Sequence, residues 1–120
     1  MAMYVDKLDG TVQHKDSICL GCQYCVSACP YGNPRYIEEL LIVKKCDACI
    51  ELRKGGEKPA CVAGCPSRAL EFGLLEELRE KYPQALCDEP ILPDSSITSP
   101  SLLVSPRASA LLLDYRELTL

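Results

Sequence analysis

The chain has 120 residues and a formal net charge of −4, from 13 Lys and Arg against 17 Asp and Glu. This slight acidic excess leaves no basic stripe, so nucleic acid is excluded as the expected partner. Nine cysteines, one phenylalanine and no tryptophan leave few large side chains for a core, so we expect metal or covalent cross-links to stabilise it.

The first ten residues, MAMYVDKLDG, contain two aspartates and no apolar run, and no 18-residue apolar stretch occurs along the chain. These residues lack the features of a secretory signal peptide, and we expect no direct membrane span. We predict that the chain is made in the cytoplasm without an export signal of its own. Because the cytosol is reducing, disulfides are disfavoured as the role of the cysteines. Residues 1–8 are assigned to an N-terminal lead.

Short elements are predicted through the middle of the chain. GTVQHKDSI at 10–18 favours a strand and a turn, and QYCVSAC at 23–29 favours one or two helical turns that end at Pro30. The β-branched and apolar content of RYIEELLIVKK at 35–45 predicts a strand or one arm of a hairpin. CDACIELRKGG at 46–56 is typical of a helix that stops at its two glycines.

The C-terminal third has a different composition. ALEFG at 69–73 predicts a short strand, and residues 74–83 predict an amphipathic helix, because their leucines recur at helical spacing before Pro83. Residues 84–120 are rich in proline and serine, which predicts an extended tail. Two apolar patches in this tail, SLLV and ALLL, suggest a strap that lies on another surface; a poorly ordered terminus is the alternative.

The cysteines form two similar sets. The first follows the pattern C-x2-C-x2-C-x3-C-P, and the second follows the same pattern opened by an insert, IELRKGGEKPA, between its second and third members. The first set comprises Cys19, Cys22, Cys25 and Cys29. The second set comprises Cys46, Cys49, Cys61 and Cys65. The repeat predicts a pseudo-twofold unit in which two half-sites complete one another.

The spacing of the first set suits a cubane [4Fe–4S] cluster. Three cysteines separated by two residues can bind three irons of one cube, and the fourth, carried away by a helical turn, serves another cluster. The repeat therefore predicts two clusters, each with three ligands from one set and a fourth from the other. The ligand sets are then Cys19, Cys22, Cys25 and Cys65 for one cluster, and Cys46, Cys49, Cys61 and Cys29 for the other.

A zinc site is the main alternative for the cysteines. A zinc ribbon uses two C-x2-C pairs, which would leave four of the eight motif cysteines without a role. The chain would then be a zinc-stabilised interaction module. The repeated two-residue spacing and the two Cys-Pro endings favour the clusters.

Other candidate residues have simpler interpretations. Four basic residues could tune a cluster's potential, although solvated surface charge explains each of them more simply; they are Lys44, Lys45, Arg53 and Arg68. We expect His14 to be a polar strand residue and Cys87 to be a spare thiol. Tyr24 and Tyr31 are expected to pack over the clusters. No nucleophile–base pair, phosphate loop or carboxylate pair stands out, so we predict no catalytic site of the chain's own.

The segments DGTVQHKDSICLGCQYCVSACPYGNPRY and VKKCDACIELRKGGEKPACVAGCPSRALEFG resemble the iron–sulfur electron-transfer subunit of the dimethyl sulfoxide reductase family. The resemblance runs from about Asp9 to about Tyr82. It implies an α+β, bacterial ferredoxin-like domain at residues 9–73 and electron transfer through [4Fe–4S] clusters in anaerobic respiration. It also implies two partners, a molybdopterin catalytic subunit and a membrane anchor that takes electrons from quinol. The protein would then associate with a membrane through those subunits.

The chain departs from this family's pattern in the number of cysteine groups. Family members carry four groups that bind four clusters, and this chain contains only the third and the fourth, the C-terminal half. In the family the third group shares its clusters with the second, and the fourth with the first. Cys29 and Cys65 would then serve clusters whose other ligands are absent here. Three interpretations stay open: the two sets pair, as in a stand-alone two-cluster ferredoxin; a partner completes the sites; or the reading frame is truncated.

Overall fold

The computed structural model describes residues 1–88 and 92–111. The chain divides into two compact units, Met1–Phe72 and Gly73–Leu120. The first unit contains all eight motif cysteines, and the second contains the predicted amphipathic helix and the tail. The two units are described in turn.

The first unit begins with a two-stranded antiparallel hairpin. Strand β1 (Met3–Val5) pairs with β2 (Val12–His14), and a 3-10 helix follows at Asp16–Ile18. The strand and turn predicted at 10–18 are therefore confirmed. The segment 1–8, predicted as a lead, contains β1, because β2 needs a partner for its backbone hydrogen bonds.

A second antiparallel hairpin follows the first cysteine set. Strand β3 (Arg35–Ile37) pairs with β4 (Ile42–Lys44), so the segment predicted as one hairpin arm forms both arms. Val43 lies at the centre of β4 and is 1% exposed. Among the described residues it is the one fully buried apolar side chain. Apolar packing is therefore sparse, as expected from the composition.

Three short helices complete the first unit. They are α1 (Tyr24–Ala28), α2 (Ile50–Lys54) and α3 (Ala60–Ala63). The first two lie where helices were predicted, and α2 is followed by Gly55, whose N–H donates back to Glu51 O. Helix α3 was not predicted, because four residues are too few to show a helical period.

The strand predicted at 69–73 is wrong, since these residues form no strand in the structure. Arg68 has a left-handed backbone with φ of 53°, which interrupts an extended run just before the segment. The backbone N–H of Ala69 donates to the sulfur of Cys65 at 3.3 Å. An amide engaged by sulfur is not available for a strand ladder, so local chemistry of the cysteine set overrides the β propensity.

The second unit begins with α4 (Leu75–Lys81), which confirms the helix predicted at 74–83. The N–H of Tyr82, just after its end, donates to Leu78 O at 2.8 Å. None of the described helices is long and apolar enough to cross a membrane.

The described part of the tail contains more local structure than the extended strap that was predicted. A short helix, α5 (Ser95–Thr98), and a 3-10 helix at Ala108–Leu111 interrupt it. Leu86 and Val104 form an isolated antiparallel bridge with two backbone hydrogen bonds of 2.8 Å. The apolar patch ALLL lies partly outside the described residues.

Aspartate side chains account for α5. Asp94 lies at its N-cap and accepts a hydrogen bond from the N–H of Ser96 at 2.8 Å. Asp88 accepts from the N–H of Ser95 at 2.7 Å and from its hydroxyl at 2.9 Å. Capping of this kind stabilises the first turn of a helix. It forms here in spite of the neighbouring prolines.

Candidate metal centre

The first cysteine set lies around the 3-10 helix and α1. Cys19 follows the 3-10 helix directly, and Cys25 is the second residue of α1. Cys22 lies in the loop between them. Cys29 is the C-cap of α1, where its N–H donates to Cys25 O at 3.2 Å.

The second cysteine set lies around β4, α2 and α3. Cys46 comes two residues after β4, and Cys49 is the N-cap of α2. Cys61 is the second residue of α3, as Cys25 is of α1, and Cys65 lies just beyond its Gly64 cap. All nine cysteines of the chain are free thiols in the structure.

Two backbone N–H groups and one side chain act on the Cys19 thiol. The backbone N–H groups of Val43 and Gly21, with a weaker contribution from the His14 side chain, lower the pKa of its thiol. Donors of this kind favour the thiolate, which is the form that binds metal. Because Val43 belongs to β4, the second hairpin supplies the donor to the first cysteine set.

The loop from Cys46 to Cys49 has an unusual backbone. Ala48 and Cys49 are both left-handed, with φ of 54° and 50°. Such a conformation costs a non-glycine residue on the order of 1–3 kcal/mol. It turns the N–H of Ala48 toward the Cys46 sulfur, at 3.4 Å. The carboxylate of Asp47 accepts a hydrogen bond from the N–H of Cys49 at 2.9 Å.

Cys65 is also engaged through its sulfur. Ser67 Oγ lies 3.4 Å from the sulfur, and the Ala69 N–H donates to it at 3.3 Å. The hydroxyl of Ser67 and the backbone N–H of Ala69 lower the pKa of the Cys65 thiol. Two of the eight motif sulfurs, those of Cys46 and Cys65, therefore accept hydrogen bonds from backbone N–H groups, and such groups also lower the pKa of the Cys19 thiol.

The donor chemistry fits an iron–sulfur cluster. Within residues 1–88 and 92–111, no three His, Cys, Asp or Glu side chains are grouped to hold a single metal ion. A [4Fe–4S] cluster instead takes one thiolate on each of four irons, and hydrogen bonds to sulfur help set its potential. The chain supplies free thiols, and the sulfurs of Cys46 and Cys65 accept such hydrogen bonds.

The predicted tuning cations make contacts with protein oxygens. Lys44 pairs with the carboxylate of Asp16, and Lys45 Nζ donates to the carbonyls of Val12 and Cys46. Arg53 Nη1 donates to Asp9 Oδ2 at 2.5 Å. These contacts support a structural interpretation of the three side chains. Tyr24 is 78% exposed, so its packing over a cluster stays a prediction.

The sequence did not predict the contacts that two side chains, His14 and Gln13, make with the cysteine loops. His14, predicted as a polar strand residue, contacts the Cys19 thiol and lies 2.9 Å from Asp16 Oδ1 through Nδ1. Gln13 donates to Asp47 O at 2.9 Å and is 4% exposed. No pattern of neighbouring residues marks a buried glutamine in a short strand. The role of Gln13 is therefore visible only from its hydrogen bond to Asp47, which lies far away in the sequence.

Comparison with known proteins identifies relatives over most of the chain. The profile of a 4Fe-4S dicluster domain matches residues 1–75. The chain is 42% identical to the B subunit of anaerobic dimethyl sulfoxide reductase of Escherichia coli and 45% identical to that of Haemophilus influenzae; each match spans 102 residues, 85% of this chain and 49% of the relative. It is 39% identical to the B subunit of polysulfide reductase of Wolinella succinogenes over 109 residues, 88% of this chain and 56% of the relative.

The chain therefore spans about half the length of the curated relatives it matches. The matches confirm the family resemblance that the cysteine motifs predict. The dicluster profile also confirms the predicted class of cofactor, two [4Fe–4S] clusters.

Proposed function

Because this protein belongs to the 4Fe-4S dicluster domain family, we propose that it transfers single electrons as the iron–sulfur subunit, or part of that subunit, of a molybdopterin oxidoreductase complex. One observation carries the proposal. The two cysteine sets occur in a chain 42% and 45% identical to proteins named as the B subunit of anaerobic dimethyl sulfoxide reductase. When bound, each cluster supplies a one-electron carrier whose potential depends on its surroundings.

The eight motif cysteines are the proposed ligands. Cys19, Cys22 and Cys25 would hold three irons of one cluster, and Cys46, Cys49 and Cys61 would hold three of the other. Cys65 and Cys29 would supply the fourth ligand of the first and second cluster respectively, if the two sets pair within this chain. The alternative source of the fourth ligands is a partner or the remainder of a longer protein.

The protein's own residues bind and shield the clusters and do no bond chemistry. Backbone N–H groups at the sulfurs of Cys19, Cys46 and Cys65 favour the thiolates and spread the negative charge of a bound cluster. The two hairpins hold the loops in place. The chain is proposed to act without a catalytic site of its own, as a relay for electrons.

The proposed partners follow from the names of the relatives. A protein named as a B subunit belongs with other subunits, and two such relatives are parts of dimethyl sulfoxide and polysulfide reductases. We propose a molybdopterin catalytic subunit as one partner and a membrane anchor as the other. Association with the membrane would then depend on the anchor.

Anaerobic purification tests the function. We expect a brown protein with about eight iron and eight sulfide per chain, and a paramagnetic signal that appears on reduction with dithionite. A colourless protein with stoichiometric zinc and no sulfide would instead identify the zinc-stabilised interaction module. Sulfoxide turnover by the chain alone would contradict the assignment as a relay.

Serine substitution tests the source of the fourth ligands. If the sets pair within the chain, Cys29→Ser and Cys65→Ser each perturb one of the two clusters in the isolated protein. A perturbed cluster shows as lost iron and an altered paramagnetic spectrum. If both variants keep the parent's iron content and spectrum, the fourth ligands come from outside this chain.

A further inference from the structure

Two side chains outside the Cys46–Cys49 loop hold the carbonyl groups at its centre. Arg53 Nε donates to Ala48 O at 2.7 Å, and Gln13 Nε2 donates to Asp47 O at 2.9 Å. The left-handed backbone at Ala48 and Cys49 is unfavourable in isolation and persists only where its surroundings impose it. These two hydrogen bonds reach the loop from outside it, in addition to those that its own Asp47 carboxylate and Cys46 sulfur accept.

Both side chains are themselves fixed from several directions. Gln13 is 4% exposed, and its Nε2 also donates to Thr11 Oγ1 at 2.8 Å. The Arg53 side chain is 14% exposed; its Nη1 donates to Asp9 and its guanidinium lies 4.9 Å from the centre of the Phe72 ring. A planar guanidinium can satisfy these partners together, whereas an ammonium offers a single point charge.

The contacts cross between the two cysteine sets. Gln13, Thr11 and Asp9 belong to the first hairpin, which precedes the first set in the sequence, yet they brace the loop of the second set. The second hairpin contacts the first set: the Leu41 carbonyl lies against Gly21, and the Val43 N–H lowers the pKa of the Cys19 thiol. Each hairpin thus contacts the cysteine set that it does not directly precede, and His14 of the first hairpin also contacts Cys19 of the set that follows it.

We propose that Gln13 and Arg53 are positioning residues for the cluster held by Cys46, Cys49 and Cys61, which they serve by holding the Cys46–Cys49 loop in its left-handed conformation. This inference rests on the proposed function. It requires that losing either side chain disturb that cluster and leave the one held by Cys19, Cys22 and Cys25 unchanged.

Arg53→Lys and Gln13→Met test the proposal in the anaerobically purified full chain. Gln13→Met keeps an approximate length and removes the hydrogen bond to the loop, and Arg53→Lys keeps the charge and replaces the planar set of donors by an ammonium without that fixed geometry. We expect iron and sulfide to fall to about half of the parent's content, or one of the two reduction potentials to shift while the other stays constant. Lys54→Met is the matched control on the same helix, because its ammonium contacts Glu51 and is 62% exposed.

Double variants identify which cluster is affected. Arg53→Lys combined with Cys22→Ser should remove iron from both clusters, because the two substitutions act on different sites. Combined with Cys49→Ser, it should remove no more iron than Cys49→Ser alone, because both act on the same cluster. Gln13→Met should behave in the same way in each background.

Three results would overturn the proposal. Unchanged iron content, spectra and potentials in both single variants would show that the loop needs neither side chain. Loss of both clusters together in either single variant would show a general role in folding, and so would equal iron loss in the two double variants when the single variant has itself lost iron. A parent protein that binds stoichiometric zinc and no iron or sulfide would instead refute the proposed function itself, and the parent sample is measured first for that reason.

Discussion

A Cβ atom at Gly21 would lie 2.3 Å from the carbonyl oxygen of Leu41. Gly21 sits between Cys19 and Cys22, and Leu41 sits in the turn between β3 and β4. The backbone of Gly21 is also left-handed, with φ of +66°. The turn of the second hairpin therefore closes directly onto the first cysteine loop, and the position requires glycine for both its space and its backbone.

Gly21→Ala is predicted to destabilise the protein more than Gly32→Ala. Gly32 has a similar φ of +60° but nothing within 4 Å of a Cβ, so its substitution costs only the left-handed backbone, about 1–2 kcal/mol. Gly21→Ala adds a steric clash with backbone, worth about 1–3 kcal/mol more. Unfolding midpoints in denaturant measure the difference. Equal losses in the two variants would mean that the contact with Leu41 is unimportant.

Cys22→Ser and Cys87→Ser are predicted to have opposite outcomes. Cys22 belongs to the first cysteine set, so its loss removes a proposed ligand and should lower iron from about eight to about four per chain. Cys87 lies outside both sets, in the second unit, and its substitution should leave iron and spectra unchanged. Iron and sulfide analysis of the two variants checks this. Iron loss in Cys87→Ser would show that the ligand assignment is incomplete.

The hydrogen bonds that Asp9 accepts predict a change of stability in acid. Hydrogen bonds from the Thr11 hydroxyl and N–H, with a further one from Arg53, lower the pKa of Asp9 from 3.8 to about 2. A carboxylate whose pKa falls on folding stabilises the fold above its unfolded pKa, and that contribution disappears as the pH falls from 3.8 toward 2.

Asp9→Asn removes the charge and should be less stable than the parent at neutral pH. The difference between the two melting temperatures should shrink as the pH falls through that range. Acid also protonates the cysteine ligands, but it does so in both proteins, so the difference isolates Asp9. A difference that stays constant down to the lowest pH would contradict the lowered pKa.

Asp94→Ala is predicted to loosen α5 without affecting the metal centre. It removes the N-cap hydrogen bond to Ser96, which costs about 1 kcal/mol and corresponds to roughly fivefold faster local opening. Amide hydrogen exchange at Ser96–Ser99 measures this opening, and iron content should stay at the parent value. Asp94→Asn is the control, because asparagine caps about as well as aspartate. Equal exchange in the two variants would argue against capping.

Much of the site followed from residue spacing. The two cysteine sets, α1, α2 and the strand at β2 were predicted because each depends on neighbours within a few residues. The strand at 69–73 was wrong because its first amide donates to the Cys65 sulfur. Helix α5 was missed because the proline and serine content of the tail predicts an extended chain. The hydrogen bonds that Asp88 and Asp94 accept from the first N–H groups of the helix stabilise it nevertheless.

Local pattern thus specified the class of cofactor, because iron–sulfur chemistry demands thiolates at short fixed intervals and those intervals are visible in any single sequence. Which hairpin contacts which cysteine loop became apparent only in the tertiary structure. Gln13 and the Asp47 carbonyl are 34 positions apart, and Arg53 and Asp9 are 44 apart. Hydrogen bonds across such distances form only after the chain closes on itself, so no short-range regularity encodes which loop each hairpin will hold.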